Sequence, residues 1–156
     1  MRIVLQRVRE AAVHVPSAQG GGEEVVGRIG RGVLLLVGVG KGDTEADAAA
    51  LVRKIAALRI FAGRTPMDLT LADVGGACLV VSQFTLLGTV RKGNRPGFDG
   101  AEDPARAEAL YEHVAAGLRA TGLEVATGRF AASMQVHLVN DGPVTFLLEA
   151  EGGRLR

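Results

Sequence analysis

The stretch VVSQFTLLG, residues 80–88, ends an apolar run with Ser82, Gln83 and Thr85, two hydroxyls and an amide placed where the chain should be leaving a core. Polar groups in such a position must be paired or put to use. Ser82 and Thr85 can satisfy strand-end backbone groups, or the cluster can face a substrate, and composition alone leaves both readings open. Shortly after it, VRKGNRPGF carries Arg91, Lys92 and Arg95 within five residues. Such cations suit phosphate oxygens, although a solvated basic loop accounts for the run equally well.

Other chemistries find less support. LLLVGVGKGDT places Gly38, Gly40 and Gly42 between a strand and a helix, but the spacing is G-x-G-x-G where a dinucleotide loop needs G-x-G-x-x-G. Lys41 is followed by Gly42 where a phosphate-binding loop needs Ser or Thr, so a flexible turn is the better reading. His14, His113 and His137 are scattered, with no pair at metal-ligand spacing and only Cys78 beside them, so no metal site is expected. Strand alternation in MQVHLVN makes His137 a surface or hydrogen-bonded residue before a catalytic one. The G-x-S-x-G elbow of a serine hydrolase is absent.

A last stretch poses a question. VNDGPVTFLL, residues 139–148, has the Asn-Asp-Gly signal of a tight hairpin, yet the second strand would open on Pro143, which has no N–H for a ladder.

These residues must be held by a chain of 156 residues, enough for one domain with a sizeable core. Hydrophobic residues make up 47% and charged residues 22%, which excludes a disordered chain. The formal net charge of +1 advertises neither nucleic acid nor membrane, so an anionic partner must be met by a local patch. Lone Cys78 cannot form an internal disulfide, and together with an N-terminus too charged for a signal peptide it predicts a cytoplasmic protein. The apolar run Val33–Val39 is too short to span a bilayer, so no membrane is expected.

Short β-type runs at Ile3–Val8, Ala11–Val15, Val25–Ile29 and Val33–Val39 predict a meander of hairpins, with the Gly-rich SAQGGGEE as a loop tip. A helix is expected from a cap at Asp43 or Thr44 to about Ala62–Gly63, with Leu51, Val52, Ile55 and Leu58 on one face. Ala77–Phe84 reads as a buried strand, and Thr85–Asp103 as a long functional loop. Asp103 as cap, Pro104 at the first helical position, an inner stripe of Ala107, Leu110, Val114 and Leu118, and terminal Gly122 define a second helix. Val125–Thr127, Gln135–Asn140 and Val144–Glu149 complete the strands. The fold class is α+β, a single domain over residues 1–156 with two helices packed on β-rich sheets.

SQFTL, KGNRPGF, TGRFAASMQVHLVNDGPVT and the opening IVLQRV together resemble, in order and spacing, the D-aminoacyl-tRNA deacylase family, whose members strip D-amino acids from mischarged tRNA. The resemblance runs nearly end to end and implies barrel-like β/β/α layers, a homodimer with active sites at the subunit interface, and no cofactor. It implies catalytic roles for Ser82, Gln83, Phe84 and Thr85. It also implies a cis Gly142–Pro143 dipeptide that reaches into the partner's active site and excludes L side chains with its carbonyl oxygens. Glycine has no side chain to exclude, so glycyl-tRNA, including that mischarged on tRNA-Ala, is an expected second substrate beside D-aminoacyl-tRNA. Phe130 and Met134 would line the adenosine or aminoacyl pocket, and Arg7, Lys92 and Arg95 would contact tRNA backbone. Between Thr85 as nucleophile and assistance by the substrate's own 2′-hydroxyl, the lack of a neighbouring base favours the second. Two departures from the family pattern, the long QGGGEE hairpin tip and Gly97 in place of Ser, fall outside the core motifs.

Two other classes of function compete. Some animal relatives are linked to DNA replication origins, which makes a non-catalytic nucleic-acid-binding module the alternative; a nucleotide-dependent enzyme using the Gly38–Gly42 turn is the third.

Overall fold

The computed structural model describes residues 1–18, 20–91 and 93–156. Their elements run β1 (Arg2–Pro16), β2 (Glu23–Ile29), β3 (Gly32–Gly38), α1 (Glu45–Ala57), β4 (Ala77–Ser82), a short 3-10 turn (Phe84–Leu87), α2 (Pro104–Ala120), β5 (Glu124–Thr127), β6 (Gln135–Glu151) and β7 (Arg154–Leu155). All seven strands share one mixed sheet in the order β5-β4-β3-β1-β6-β7, with β2 pairing the far half of β1.

Strands β3 and β4, GVLLLVG and ACLVVS, are apolar along nearly their whole length because both their faces are covered. On one face Leu35, Cys78 and Val80 meet Leu51 and Ile55 of α1 and Val114 and Leu118 of α2. On the other, Leu34, Leu79 and Val81 meet Val13, Val15 and Ile29, because β1 and β2 curl over the sheet. The result is the expected barrel-like β/β/α layering, with parallel pairing of β3 with β4 and of β4 with β5 across the two helical connections. Gly27 makes the closure tight, since a Cβ there would lie 2.3 Å from the Thr127 carbonyl oxygen of β5.

The expected meander is corrected in one respect. Ile3–Val8 and Ala11–Val15 form one strand, whose first half pairs β3 and whose second half pairs β2. The apparent break at Arg9–Glu10 is an irregularity, with register shifts against β6 from Gln6 to Glu10. It changes parity: Ile3 and Leu5 face the helices, whereas Val8, Val13 and Val15 face the barrel interior.

The hairpin signal at Asn140–Gly142 is likewise overridden. β6 continues through it, pairing β1 on both sides. Between the pairs Val8–Asn140 and Gln6–Thr145, β1 has only Arg7 while β6 has residues 141 to 144. The extra residues are pushed out of the ladder, which is where a proline without an N–H is tolerated.

Helix α1 ends at Ala57, short of the expected Ala62–Gly63, because the following segment turns to pair Phe61 with Leu69 and buries the Phe61 ring completely. Its start is as expected: Thr44 is the cap, and Asp47 three residues on accepts from both the Thr44 N–H and the Thr44 hydroxyl at 2.8 Å. Strand β4 stops at Ser82, where the chain enters the 3-10 turn.

Candidate active site

The end of β4, the start of α2 and the segment leading into β6 enclose a cavity of about 540 Å³. Ser82, Gln83 and Phe84 form one wall, Phe130 and Met134 another, and Glu102, Pro104 and Ala107 a third. Five of the sequence-predicted residues therefore meet in one place, though 46 residues separate Phe84 from Phe130 along the chain. β4 delivers the first group because Gln83 still donates its N–H to the Val37 carbonyl at 2.7 Å, after which the 3-10 turn carries Phe84 outward.

Within this wall, Gln83 Nε2 donates to Thr85 Oγ1. Among the described residues, no carbonyl accepts the N–H of Phe84 or of Thr85, and no other side chain bonds the Thr85 hydroxyl. Two adjacent donors thus stand free at the start of the turn. Phe84 is 57% exposed, with its ring edge against Phe98 at 5.0 Å. On the opposite wall, Phe130 packs against Tyr111 at 6.0 Å, and Tyr111 is anchored by donating to the Val80 carbonyl at 2.9 Å. Burial pushes the Tyr111 hydroxyl up to about 12, and the Cys78 thiol behind the wall likewise to about 12, so neither ionises near neutral pH.

Glu102 and Ala131 are among the lining residues missed from sequence. Glu102 carries a carboxylate into the cavity wall, where it accepts from the Asp103 N–H at 2.9 Å and approaches Arg106 Nε at 3.5 Å. Ala131 has φ of 56°, a left-handed conformation unusual for alanine that nothing in its residue type announces.

Gly142 and Pro143, joined by a cis peptide bond, are exposed and stand apart from the cavity of their own chain. The bulge that presents them is held by Arg7. Its Nε donates to the Asp141 carbonyl at 2.8 Å, its Nη1 to the Ile60 carbonyl, and the Asp141 carboxylate lies 3.2 Å from Nε. Asn140 Nδ2 returns a bond to the Arg7 carbonyl at 2.9 Å. With its side chain only 14% exposed and its Nε and Nη1 engaged inside the fold, Arg7 is placed to hold this bulge. Arg95 is exposed on the loop closed by the Thr89–Gly97 bridge, beside Arg91; Lys92 lies outside the described residues.

The Gly38–Gly42 turn is filled by the protein itself. Gly40 donates its N–H to the Asp43 carboxylate at 2.6 Å and Lys41 donates to the Gly100 carbonyl at 3.0 Å, so these two donors are engaged within the fold and not offered to a phosphate.

A family model described as D-Tyr-tRNA(Tyr) deacylase matches residues 4–149. The chain belongs to that family. Among its relatives in this D-Tyr-tRNA(Tyr) deacylase family, the D-aminoacyl-tRNA deacylase of Anaeromyxobacter dehalogenans (strain 2CP-C) is 57% identical over 153 residues, covering 96% of this chain and 97% of its own. A solved structure of the c-Myc DNA unwinding element binding protein is 39% identical with a TM-score of 0.86, covering 97% of this chain and 100% of its own. A probable eukaryotic D-amino acid tRNA deacylase, 18% identical with a TM-score of 0.78 over 96% and 98% of the two chains, shares the fold. The chemistry of that family is hydrolysis of a tRNA ester. No described helix is long and apolar enough to cross a membrane.

Proposed function

We propose that this chain hydrolyses the ester joining a D-amino acid to the terminal ribose of tRNA, releasing the free amino acid and tRNA, and that it accepts glycyl-tRNA as well. The observation that carries this reading is the convergence of Ser82, Gln83, Phe84, Phe130 and Met134 on one cavity beside two free backbone donors. An aminoacyl ester is already activated, so the site must orient a water and stabilise the oxyanion that develops on the carbonyl oxygen. The Phe84 and Thr85 N–H groups serve as the oxyanion donors. Water adds to the carbonyl carbon, the bond from that carbon to the ribose oxygen breaks, and the neighbouring ribose hydroxyl relays a proton to the leaving oxygen. Thr85 is the weaker nucleophile candidate, because its hydroxyl accepts from the Gln83 amide and no base touches it. Phe130 and Met134 pack the adenosine or aminoacyl group, and Arg95 and Lys92 meet tRNA phosphates.

Chirality is read by exclusion. In a homodimer, Gly142 and Pro143 of one protomer reach the cavity of its partner, and their carbonyl oxygens occupy the space an L side chain would need. Support for the dimer comes from the exposed apolar side chains Leu138, Val139, Phe146 and Leu147, which flank this dipeptide along β6. The reaction belongs in the cytoplasm, where charged tRNA resides.

A comparison of D-alanyl-, glycyl- and L-alanyl-tRNA tests the reading. The first two should lose their ester and the third should keep it. Glycyl-tRNA that survives high enzyme concentration while D-alanyl-tRNA is cleaved would refute exclusion of a side chain as the basis of selection.

A second reading, a nucleic-acid-binding module without catalysis, is favoured by the 39% identical protein named for binding a DNA unwinding element. A pure binder has no use for the SQ-x-T cluster and the Gly142–Pro143 dipeptide. Gel-shift affinity for DNA without any deacylation would establish it.

A further inference from the structure

Far apart in sequence, His14 and His137 are neighbours in the fold. β1 and β6 pair Ala12 with His137 and His14 with Gln135, so the two imidazoles stand on adjacent strands one step apart, with ring centroids 4.4 Å apart and planes tilted by 45°. β2, on the other side of β1, pairs Glu23 with Pro16 and brings its carboxylate to 3.5 Å from His14 Nδ1. Val13 and Val15 point into the barrel, so His14 projects from the outer face. One ligand atom from each of His14, Glu23 and His137 lies within 4.8 Å of the other two.

We propose that His14, Glu23 and His137 bind one divalent transition-metal ion of the zinc, nickel or copper(II) class. Two neutral imidazole nitrogens and one carboxylate are a donor set suited to these ions. A tetrahedral ion with bonds of about 2.0–2.2 Å needs donors roughly 3.3 Å apart, so the set closes by up to about 1.5 Å through χ rotations at His137 and Glu23. His14 and His137 line a cavity of about 610 Å³, where the small methyl groups of Ala11 and Ala12 leave room for a water as fourth ligand. Arg28 also lines this cavity. A lone carboxylate beside an arginine offers little to magnesium or calcium, which demand several oxygen ligands, so selection rests on imidazole coordination.

Bound metal would tie β2, β1 and β6 together where β6 begins, next to Met134 and Val136 of the active-site wall. Its first effect is on stability, through preferential binding to the folded chain.

Untagged, chelator-stripped protein titrated with Zn²⁺ by calorimetry, and with Co²⁺ by visible absorption, tests the site. The expected result is one ion per chain, a ligand-field band for Co²⁺, a Tm that rises with Zn²⁺ concentration, and no response to Mg²⁺. His137→Ala should weaken Zn²⁺ at least tenfold and abolish the band, as should His14→Ala; exposed His137 can be removed without disturbing the ladder, so its variant carries the test if His14→Ala fails to fold. Unchanged Zn²⁺ affinity in His137→Ala, one ion per two chains, or no binding by the unaltered protein would each overturn the proposal and leave His14 and Glu23 as an ordinary surface ion pair.

Discussion

Arg7 Nε donates to the carbonyl oxygen of Asp141 at 2.8 Å, across the point where β6 bulges away from β1. A largely buried guanidinium bonded to two main-chain carbonyls and a carboxylate fixes the position of the residues that follow, Gly142 and Pro143.

Arg7→Ala should therefore cost about 1–3 kcal/mol of stability, the usual penalty for leaving buried acceptors unpaired. If the dipeptide is the chiral filter, the same variant should also raise cleavage of L-tyrosyl-tRNA relative to D-tyrosyl-tRNA. Melting curves and the D-to-L rate ratio check the two effects separately, and Arg7→Lys, which keeps the charge but not the fork of donors, should restore only part of either.

Thr85 makes a second test. Its hydroxyl is held by Gln83 and has no base beside it. Thr85→Ala should retain measurable turnover, while a substrate ending in 2′-deoxyadenosine should lose about 10²-fold or more, the usual scale of a positioned proton relay. Complete loss in Thr85→Ala with tRNA binding intact would make Thr85 the nucleophile.

Asp47 sets a limit at low pH. Burial raises its pKa, but hydrogen bonds from the Gly153 N–H, the Thr44 hydroxyl and the Thr44 N–H outweigh that and hold it below the ordinary 3.8. A depressed folded pKa means its stabilisation is complete above about pH 4 and is lost as pH falls through the folded value. Asp47→Asn should lower unfolding free energy by about 1–3 kcal/mol at pH 7, and the gap should narrow at pH 3. Urea unfolding at the two pH values checks it.

Local signals in the sequence located both helices, since caps such as Thr44 and Asp103 and the stripe Leu110, Val114 and Leu118 are physical devices of the helix itself. They also located the buried strands β3 and β4. Long-range pairing was less legible. Nothing in Arg9–Glu10 or in Asn140–Asp141–Gly142 distinguishes a loop from an irregular strand held by its neighbours, and only pairing of β1 with β6 decides that both runs continue. The same pairing gives Arg7 its role and brings His14 beside His137, which no spacing within either segment announces. At the active site the motif residues were legible by type. Glu102 and the left-handed backbone of Ala131 were not, because a loop carboxylate and an alanine carry no signature of the wall they form.

The most direct test of stereochemical exclusion is ester loss from matched D- and L-tyrosyl-tRNA incubated with the purified protein. Rapid release of D-tyrosine with L-tyrosyl-tRNA left intact is the predicted result; equal rates for the two, or no release of either, would contradict it.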